Sequence, residues 1–296
     1  MTMTTAGPMI TLSNGLKMPQ AYPNEVANAV RCALDVGYRL IDTATCYGNE
    51  KEIGDVVAEY VKSGKVKRED LFITTKLWCT HNRPSEVEGQ IRESLSKLQV
   101  DYIDLYLAHM PATFNGLESV YKKGLAKAIG LSNVNAAQVE RIQKTASIPI
   151  HNVQCECYLY FPQHELVDTC RKHNISFTAY APIGSPGRVN WKLPSGAKLV
   201  WADAKNPLEN DLVVALAKKY DKTSAQILLR NLLQRGIAII PKSTNDKRIK
   251  ENFSIFDFKL TDDEMKQLND IKHRQRLFFQ DFMEGHPEDP FKEERH

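Results

Sequence analysis

The sequence predicts one α/β domain over residues 1–296, folded as a TIM-type (β/α)8 barrel whose first strand is missing or degenerate. Three features indicate this fold. Short apolar runs rich in β-branched residues alternate with amphipathic segments of helical period, which is typical of a parallel sheet covered by helices. No low-complexity linker divides the chain. The G-x-G-x-x-G turn that usually marks an open doubly wound sheet is also absent from the sequence.

Seven segments have the composition of buried strands and recur along the chain. They are Arg39–Asp42, Leu71–Lys76, Ile103–His109, Lys127–Leu131, Ile150–Gln154, Ser176–Tyr180 and Ile237–Pro241. Between them lie segments of helical period, among them Asn24–Val36, Pro84–Leu98, Ala136–Thr145, Pro162–Lys172 and Thr223–Gln234. Pro84 suits the first turn of a helix, and Asn135 suits the cap of the helix that follows it.

Six of the predicted strands are closed by a polar residue. These residues are Asp42, Lys76, His109, Gln154, Tyr180 and Lys242. A single strand-end carboxylate such as Asp42 is also typical of a helix cap. Six polar strand ends in register, however, indicate a functional site, because TIM-type barrels carry their chemistry at the carboxyl ends of the strands.

Composition and charge exclude several classes of partner. Apolar residues make up 42% of the chain, enough for a large core, and a net charge of +3 gives no signal for nucleic acid or a membrane surface. The N-terminal stretch does not resemble a signal peptide, and no apolar run reaches the ~18 residues of a membrane span. We expect a soluble cytoplasmic protein.

The six cysteines are scattered through a chain too long to need disulfide staples, which fits a reducing compartment. Cys155 and Cys157 alternate with Glu156, and His151 lies close by in sequence. A metal site would need tighter pairing together with distant partners. We interpret the two cysteines as buried strand thiols and expect no metal.

Several stretches, in this order and at similar spacings, resemble the aldo-keto reductase family over roughly Met9 to Phe258. They are "RLIDTATCYGNE", "ITTKLW", "IDLYLAHMP", "AIGLSN", "TAYAPIGSP" and "IPKSTNDKRIKEN". The resemblance implies an NADP-dependent enzyme that reduces aldehydes and ketones to alcohols, acts on a small-molecule carbonyl substrate and is a monomer. Residue by residue, Asp42, Tyr47, Lys76 and His109 match the family's catalytic residues.

These four residue types suit proton donation to a carbonyl. A tyrosine with a pKa near 10 is a poor acid at neutral pH, but a neighbouring ammonium lowers that pKa. Asp42 would keep Lys76 charged and oriented, Tyr47 would protonate the carbonyl oxygen, and His109 would orient the carbonyl. Taken singly, Lys76 and His109 also fit a structural ion pair and a satisfied core histidine.

No side chain can deliver hydride, so the reaction needs a cofactor that does. The resemblance implies that this cofactor is NADPH/NADP+. The resemblance implies that Ser132, Asn133 and Gln154 hold the nicotinamide carboxamide and that Tyr180 stacks on its ring. It assigns further cofactor contacts to Asp42, Ser185, Lys242, Ser243, Arg248, Glu251 and Asn252. Two cations and a hydroxyl at a helix start suit the 2′-phosphate, which predicts a preference for NADPH over NADH. Read alone, this stretch would be a solvated basic helix start.

Substrate contacts are expected from Tyr47, His109, Trp78 and Trp191. The segment Leu277–Phe282 fits two interpretations, an apolar lid over the pocket or a packed tail. An apolar pocket of this kind favours aldehydes or ketones with apolar bodies.

The chain departs from the family pattern in two places. After the hairpin-like stretch Met9–Pro19, the usual first barrel strand is replaced by "QAYPNEV", which starts a helix. The loop after His109 is cut to "MPATFN", which predicts a pocket that is more open on that side. Residues near Met18–Tyr22 could replace the strand poorly, the barrel could be open, or the chain could be a truncated product.

Three functions fit the sequence. The first is the carbonyl reductase, supported by the four catalytic residues and the phosphate motif. The second is a nucleotide-binding family member with a regulatory or structural role, for which the catalytic acid would not be needed. The third is a catalytically impaired or inactive truncated chain, supported by the missing strand.

Overall fold

The computed structural model of the chain describes residues 9–11, 17–19, 25–111, 114–190, 201 and 203–295. Its strands are β1 (Met9–Thr11), β2 (Lys17–Pro19), β3 (Leu40–Asp42), β4 (Phe72–Leu77), β5 (Ile103–Ala108), β6 (Ala126–Ser132), β7 (Asn152–Glu156), β8 (Ser176–Tyr180) and β9 (Ala238–Ile239). Its helices are α1 (Glu25–Val36), α2 (Glu50–Lys62), α3 (Pro84–Leu98), α4 (Phe114–Lys122), α5 (Ala136–Thr145), α6 (His164–Lys172), α7 (Asp211–Tyr220), α8 (Ser224–Gln234), α9 (Asp246–Phe253) and α10 (Asp262–Asn269).

The strands form two sheets. β1 and β2 pair antiparallel as the predicted hairpin, while β3 to β9 form one parallel sheet in chain order. All seven predicted barrel strands are therefore confirmed, and the five predicted helices are found with starts within two residues of the prediction. The fold is α/β, with helices outside a parallel sheet, as the alternation of patterns predicted.

The parallel sheet curls into a nearly complete barrel. Gln154 on β7 donates from Nε2 to Oδ2 of Asp42 on β3 at 2.7 Å. These strands are four positions apart, and a flat sheet would separate them by ~19 Å at the usual ~4.8 Å spacing. Curling therefore brings the carboxyl ends of distant strands to one place.

The sheet is open between its first and last strands within the described residues. The backbones of residues 39, 41 and 43 face β4, as shown by the bonds Phe72 N–H to Arg39 O and Thr43 N–H to Thr74 O. Leu40 and Asp42 therefore turn their backbone groups toward the side where the first barrel strand would lie. Of Met18–Tyr22, Met18 and Pro19 belong to β2, outside the barrel sheet, and residues 20–22 lie outside the described residues.

The outer layer of helices is continuous where the sheet is open. α1, which precedes β3, packs against α9, which follows β9. The Tyr38 hydroxyl, just after α1, donates to the Ile249 carbonyl at 3.2 Å, and its ring lies 4.7 Å from that of Phe253. Helix packing thus joins the first and last parts of the barrel.

Candidate active site

The ends of three neighbouring strands bring the predicted catalytic residues together. Asp42 ends β3, Lys76 lies in β4, and His109 directly follows β5. Tyr47 lies in the 3₁₀ turn Thr45–Tyr47 that follows β3. Gly48 ends that turn in the left-handed conformation, at φ 67°, which glycine adopts without strain.

Lys76 is the centre of this group. Its side chain is fully buried, and Nζ donates to Asp42 Oδ1 at 2.6 Å and to the Thr43 carbonyl at 2.9 Å. Burial lowers the pKa of Lys76 more than any other single cause, but the charge and hydrogen bond of Asp42, together with Tyr47 and Cys46, outweigh it and the pKa is raised. Lys76 is therefore a cation at every physiological pH.

Tyr47 lies beside this cation, with the Lys76 Nζ 5.2 Å from its ring centroid. The sequence predicted that Lys76 lowers the pKa of Tyr47. Lys76 does act in that direction, but desolvation disfavours the phenolate more strongly, and the pKa of Tyr47 is raised. The phenol is therefore protonated at neutral pH, although about half of the residue, 51%, remains exposed to solvent.

His109 lies against both Tyr47 and Trp78. Its ring centroid is 5.7 Å from that of Tyr47 and 5.2 Å from that of Trp78, both edge to face. Burial, with a smaller contribution from Lys76, lowers the pKa of His109 to about 3. The imidazole is therefore neutral and can donate one hydrogen bond and accept another.

The predicted nicotinamide residues adjoin this group and bond to it. Gln154 bonds Asp42 as described above. The Asn133 side chain donates to the His109 carbonyl at 2.8 Å and accepts from the Tyr180 hydroxyl at 2.7 Å. Ser132 ends β6 beside Asn133, and its Oγ accepts from Asn133 Nδ2 at 3.3 Å. One polar network thus connects the residues predicted for catalysis with those predicted for the cofactor.

The predicted adenosine residues lie after β9 and at the start of α9. Asn245 caps α9 by accepting from the Arg248 N–H at 3.0 Å, and the Ser243 hydroxyl accepts from the Asn245 N–H at 3.1 Å. Lys242 and Arg248 are exposed, and within the described ranges neither forms an ion pair. Glu251 and Asn252 follow in the same helix, where Glu251 lies 3.8 Å from Lys247.

Of the remaining residues predicted for the site, some belong to the part of the chain that the structure describes and some do not. Trp78 follows β4 and is half-buried beside His109. Ser185 lies in the loop after β8 with a positive φ of 44°. Trp191 and the residues 112 and 113 of the shortened loop lie outside the described residues.

Three more residues lie at the site. Cys46, which was not predicted from the sequence although it adjoins Tyr47, places its Sγ 3.6 Å from the His109 Nδ1. Phe278 lies edge to face with Tyr180 at 5.8 Å, and Phe282 lies 6.1 Å from Trp78. Both belong to Leu277–Phe282, for which the sequence left an apolar lid and a packed tail open, and these contacts bring the segment to the site.

Comparisons with known proteins agree with this geometry. A model of the "Aldo/keto reductase family" matches residues 11–273. The chain belongs to the aldo/keto reductase family. Similar members include "Aldo-keto reductase family 1 member A1-A" of Danio rerio, 40% identical over 303 residues, covering 90% of each chain. "Estradiol 17 beta-dehydrogenase 5" of Mus musculus is 38% identical, covering 96% of this chain and 94% of its own.

Solved structures of aldo/keto reductases share the fold. The aldose reductase from Schistosoma japonicum superposes with a TM-score of 0.83 at 36% identity, covering 97% of this chain and 99% of its own. The Bombyx mori aldo-keto reductase in complex with NADP gives 0.82 at 35% identity, covering 97% and 100%. The near-complete barrel of this chain is therefore the barrel of its family.

The described residues contain no group of three or more His, Cys, Asp or Glu side chains placed to hold a metal ion. Cys155 and Cys157 are buried free thiols, and His151 stacks on Tyr121 instead of facing them. Among the described helices, none has the length and apolar character required to cross a membrane.

Proposed function

We propose that this aldo/keto reductase uses NADPH to reduce aldehydes or ketones to alcohols, with Tyr47 as the general acid. The observation that carries the proposal is the arrangement around Lys76. A buried ammonium bonded to Asp42 lies beside a protonated phenol, and a neutral imidazole lies 5.7 Å from that phenol. This combination provides a proton and a hydrogen-bond donor for one carbonyl oxygen.

The raised pKa of Tyr47 and the lowered pKa of His109 fit these roles. Because the pKa of Tyr47 is raised, its proton is present when the substrate arrives. Lys76 stabilises the phenolate left after the proton has moved, which is the charge that develops during the reaction. Because His109 is neutral, it can donate a hydrogen bond to the carbonyl without adding a second buried cation beside Lys76.

The residues of this chain fit NADPH at both of its ends. The amide groups of Asn133 and Gln154 and the hydroxyl of Ser132 lie beside the catalytic group, where they suit a carboxamide. Lys242 and Arg248 flank the capped start of α9, where they suit a 2′-phosphate. When bound, NADPH supplies hydride to the carbonyl carbon. The similarity to the Bombyx mori enzyme in complex with NADP supports the same assignment.

One observation favours a second candidate. The open side of the barrel sheet lies beside Asp42, so the catalytic group lacks the support of a neighbouring strand within the described residues. A family member that binds nucleotide but turns over weakly or not at all would have this structure. Such a protein would serve a regulatory or structural role.

NADPH oxidation with an aromatic aldehyde, measured for the parent and for Tyr47→Phe, tests the proposal. We expect turnover by the parent and a loss of at least about 10²-fold in kcat for the variant. Tyr102→Phe is a matched control, because Tyr102 also lies under a lysine, with Lys127 Nζ 4.9 Å from its ring centroid, but precedes β5 at the opposite end of the sheet. NADPH binding without turnover by the parent would support the second candidate instead.

A further inference from the structure

Glu156 is a buried carboxylate that the proposed mechanism does not use. It ends β7 with no exposed surface, on the same face of the strand as Gln154. Its Oε1 accepts from the Leu277 N–H at 2.7 Å and its Oε2 from the Phe278 N–H at 3.0 Å. One side chain at the barrel's carboxyl edge thus holds two consecutive amides of the C-terminal segment, residues 277–290.

Arg276 completes this attachment. Its Nη1 lies 3.9 Å from Glu156 Oε2, and its guanidinium lies between the rings of Phe161 and Phe291, 4.3 and 3.7 Å from their centroids. Nε and Nη2 donate to Glu294 at 2.8 and 2.7 Å. Glu156 therefore faces a cation that is itself fixed by stacking and a second carboxylate.

The attached segment touches both sides of the candidate active site. Phe278 packs on Tyr180, which the family resemblance places against the nicotinamide ring, and Phe282 packs on Trp78, which packs on His109. Farther along, the Asn135 side chain at the start of α5 donates to the Pro290 carbonyl at 3.0 Å. The segment is therefore held at both ends while its middle crosses the site.

The middle of the segment leaves aromatic surface exposed. Phe282 is 58% exposed and Tyr47 is 51% exposed, with half-buried Trp78 in contact with Phe282. Exposed aromatic side chains gathered beside a catalytic group favour a ligand with a flat apolar ring. An aliphatic aldehyde of two or three carbons has no ring to place against this surface.

We propose that Glu156 is a positioning residue: it fixes residues 277–282 so that Phe282 and Trp78 form the wall that binds the aromatic body of a carbonyl substrate. This inference rests on the proposed reductase function and adds a positioning residue to it. Glu156 does not touch the reacting atoms. Its effect is on substrate binding and not on proton or hydride transfer.

Glu156→Gln tests this role. Glutamine keeps one acceptor oxygen but replaces the other with an amide that cannot accept an N–H and carries no charge for Arg276. We expect hydrogen exchange in the peptide spanning residues 275–283 to become about tenfold faster. We also expect KM for 4-nitrobenzaldehyde to rise about tenfold, with kcat and the KM for propanal within about twofold of the parent.

Glu118→Gln is the matched control. Glu118 on α4 is also a buried carboxylate that holds two consecutive amides, those of Ser147 and Ile148, which both donate to its Oε1 at 2.6 and 2.9 Å, but it lies away from the site. We expect this variant to change neither KM nor exchange in the 275–283 peptide. Phe282→Ala, at an exposed position that folding does not require, should raise KM for 4-nitrobenzaldehyde without changing exchange at Leu277 and Phe278.

The possible outcomes separate this inference from the proposed function. Unchanged KM values in Glu156→Gln and Phe282→Ala, with an active parent, would overturn the inference and leave the reductase function standing. An equal rise of KM in Glu118→Gln would overturn it as well, because the effect would then be global. An inactive parent would contradict the proposed function, and unaltered exchange in Glu156→Gln would then also refute the attachment.

Discussion

The two carboxylate oxygens of Asp42 have different partners, and this division explains how one residue can support the whole candidate site. Oδ1 accepts from Lys76, and Oδ2 accepts from Gln154 on the far side of the barrel. The first contact keeps the buried ammonium charged. The second fixes the carboxylate relative to residues proposed for the cofactor, so we expect a change at Asp42 to affect activity and cofactor binding together.

Asp42→Asn should therefore reduce both activity and stability. Loss of the charge leaves the fully buried Lys76 uncompensated, which costs about 3 kcal/mol of unfolding free energy and lowers kcat by at least about 10²-fold. Urea unfolding and NADPH oxidation measure the two effects.

Asp104→Asn provides the comparison, because Asp104 pairs with Arg68 at 2.7 Å and with the Ile73 N–H at 2.9 Å in a partly exposed position. We expect about 1 kcal/mol of lost stability and unchanged kcat. Equal losses of kcat in the two variants would contradict a catalytic role for Asp42.

Arg248 should discriminate NADPH from NADH. Arg248 is an exposed cation at the capped start of α9, and a bond from it to a 2′-phosphate would contribute about 1.5–3 kcal/mol to the binding of NADPH. Arg248→Ala should therefore raise KM for NADPH by about 10- to 100-fold and leave KM for NADH unchanged. Lys250→Ala is the control for this prediction, because it removes an equal charge two residues along the helix, on the opposite face. Similar NADPH and NADH affinities in the parent would show that this site does not read the phosphate.

At the scale of single residues, the sequence predicts which residues lie at the candidate site better than it predicts their pKa values and their distant hydrogen-bond partners. That Asp42, Lys76 and His109 lie together could be predicted because they stand at the ends of neighbouring strands, and parallel strands end on one face. The direction of the Tyr47 pKa could not, because it depends on how much surrounding protein desolvates the phenol. The role of Glu156 could not either, because its partners Leu277 and Phe278 lie more than a hundred residues away in sequence.

Among the strands, β6 and β7 approach closely at Gly130. A Cβ at this position would lie 2.1 Å from the Asn152 carbonyl oxygen and 2.8 Å from Leu107 Cδ2. The glycine is therefore required for the pairing that carries Ser132 and Gln154 to the site. Backbone cannot move aside as a flexible side chain can.

Gly130→Ala should accordingly destabilise the protein by about 3 kcal/mol, measured as the free energy of unfolding in urea. Gly89→Ala is the opposite case, because Gly89 is exposed inside α3 and a Cβ there would contact nothing within 4 Å. We expect it to gain up to about 1 kcal/mol from helix propensity. Destabilisation by both substitutions would argue against close packing as the cause at Gly130.

The helices and strands could be predicted from the sequence where a local feature, such as a cap or a proline, marks where they begin or end. α3 begins at Pro84 and α5 follows Asn135, whose side chain accepts from the Gln138 N–H at 2.9 Å in a complete capping box. β9 is shorter than predicted, Ala238–Ile239 in place of Ile237–Pro241. Its ladder ends before Pro241, which has no N–H to donate. The C-terminal segment has no periodic pattern, so the sequence left an apolar lid and a packed tail open for Leu277–Phe282, and its contacts with Tyr180 and Trp78 come from the structure.

For the molecule as a whole, the open sheet and the continuous helix layer act in opposite directions on stability. Missing ladder bonds beside β3 and β9 remove hydrogen bonds worth about 0.5–1.5 kcal/mol each, within the described residues. Packing of Tyr38 on Phe253 and its bond to Ile249 restore part of that loss on the outside. Stability therefore depends strongly on the buried residues near the carboxyl edge, including two that titrate.

His109 and Glu156 should give opposite pH dependences of stability. The folded pKa of His109 is about 3 against an ordinary 6.5, so between these values the unfolded chain binds more protons and stability falls as pH falls. Burial, opposed by Arg276, raises the pKa of Glu156 to about 7 from 4.5, so the folded chain binds more protons and stability rises as pH falls from 7 to 4.5. Each slope is about 1.4 kcal/mol per pH unit, and they cancel between pH 4.5 and 6.5.

Urea unfolding of the parent, His109→Asn and Glu156→Gln across pH 4.5 to 6.5 measures both slopes. Relative to the parent, His109→Asn should become more stable toward pH 4.5 and Glu156→Gln less stable, each by about 1.4 kcal/mol per pH unit. Differences from the parent remove the contributions of the surface carboxylates, which the three proteins share. Parallel curves for the parent and Glu156→Gln would mean that the pKa of Glu156 is the same in the folded and the unfolded chain, which would contradict a carboxyl whose burial outweighs Arg276 and the two amides.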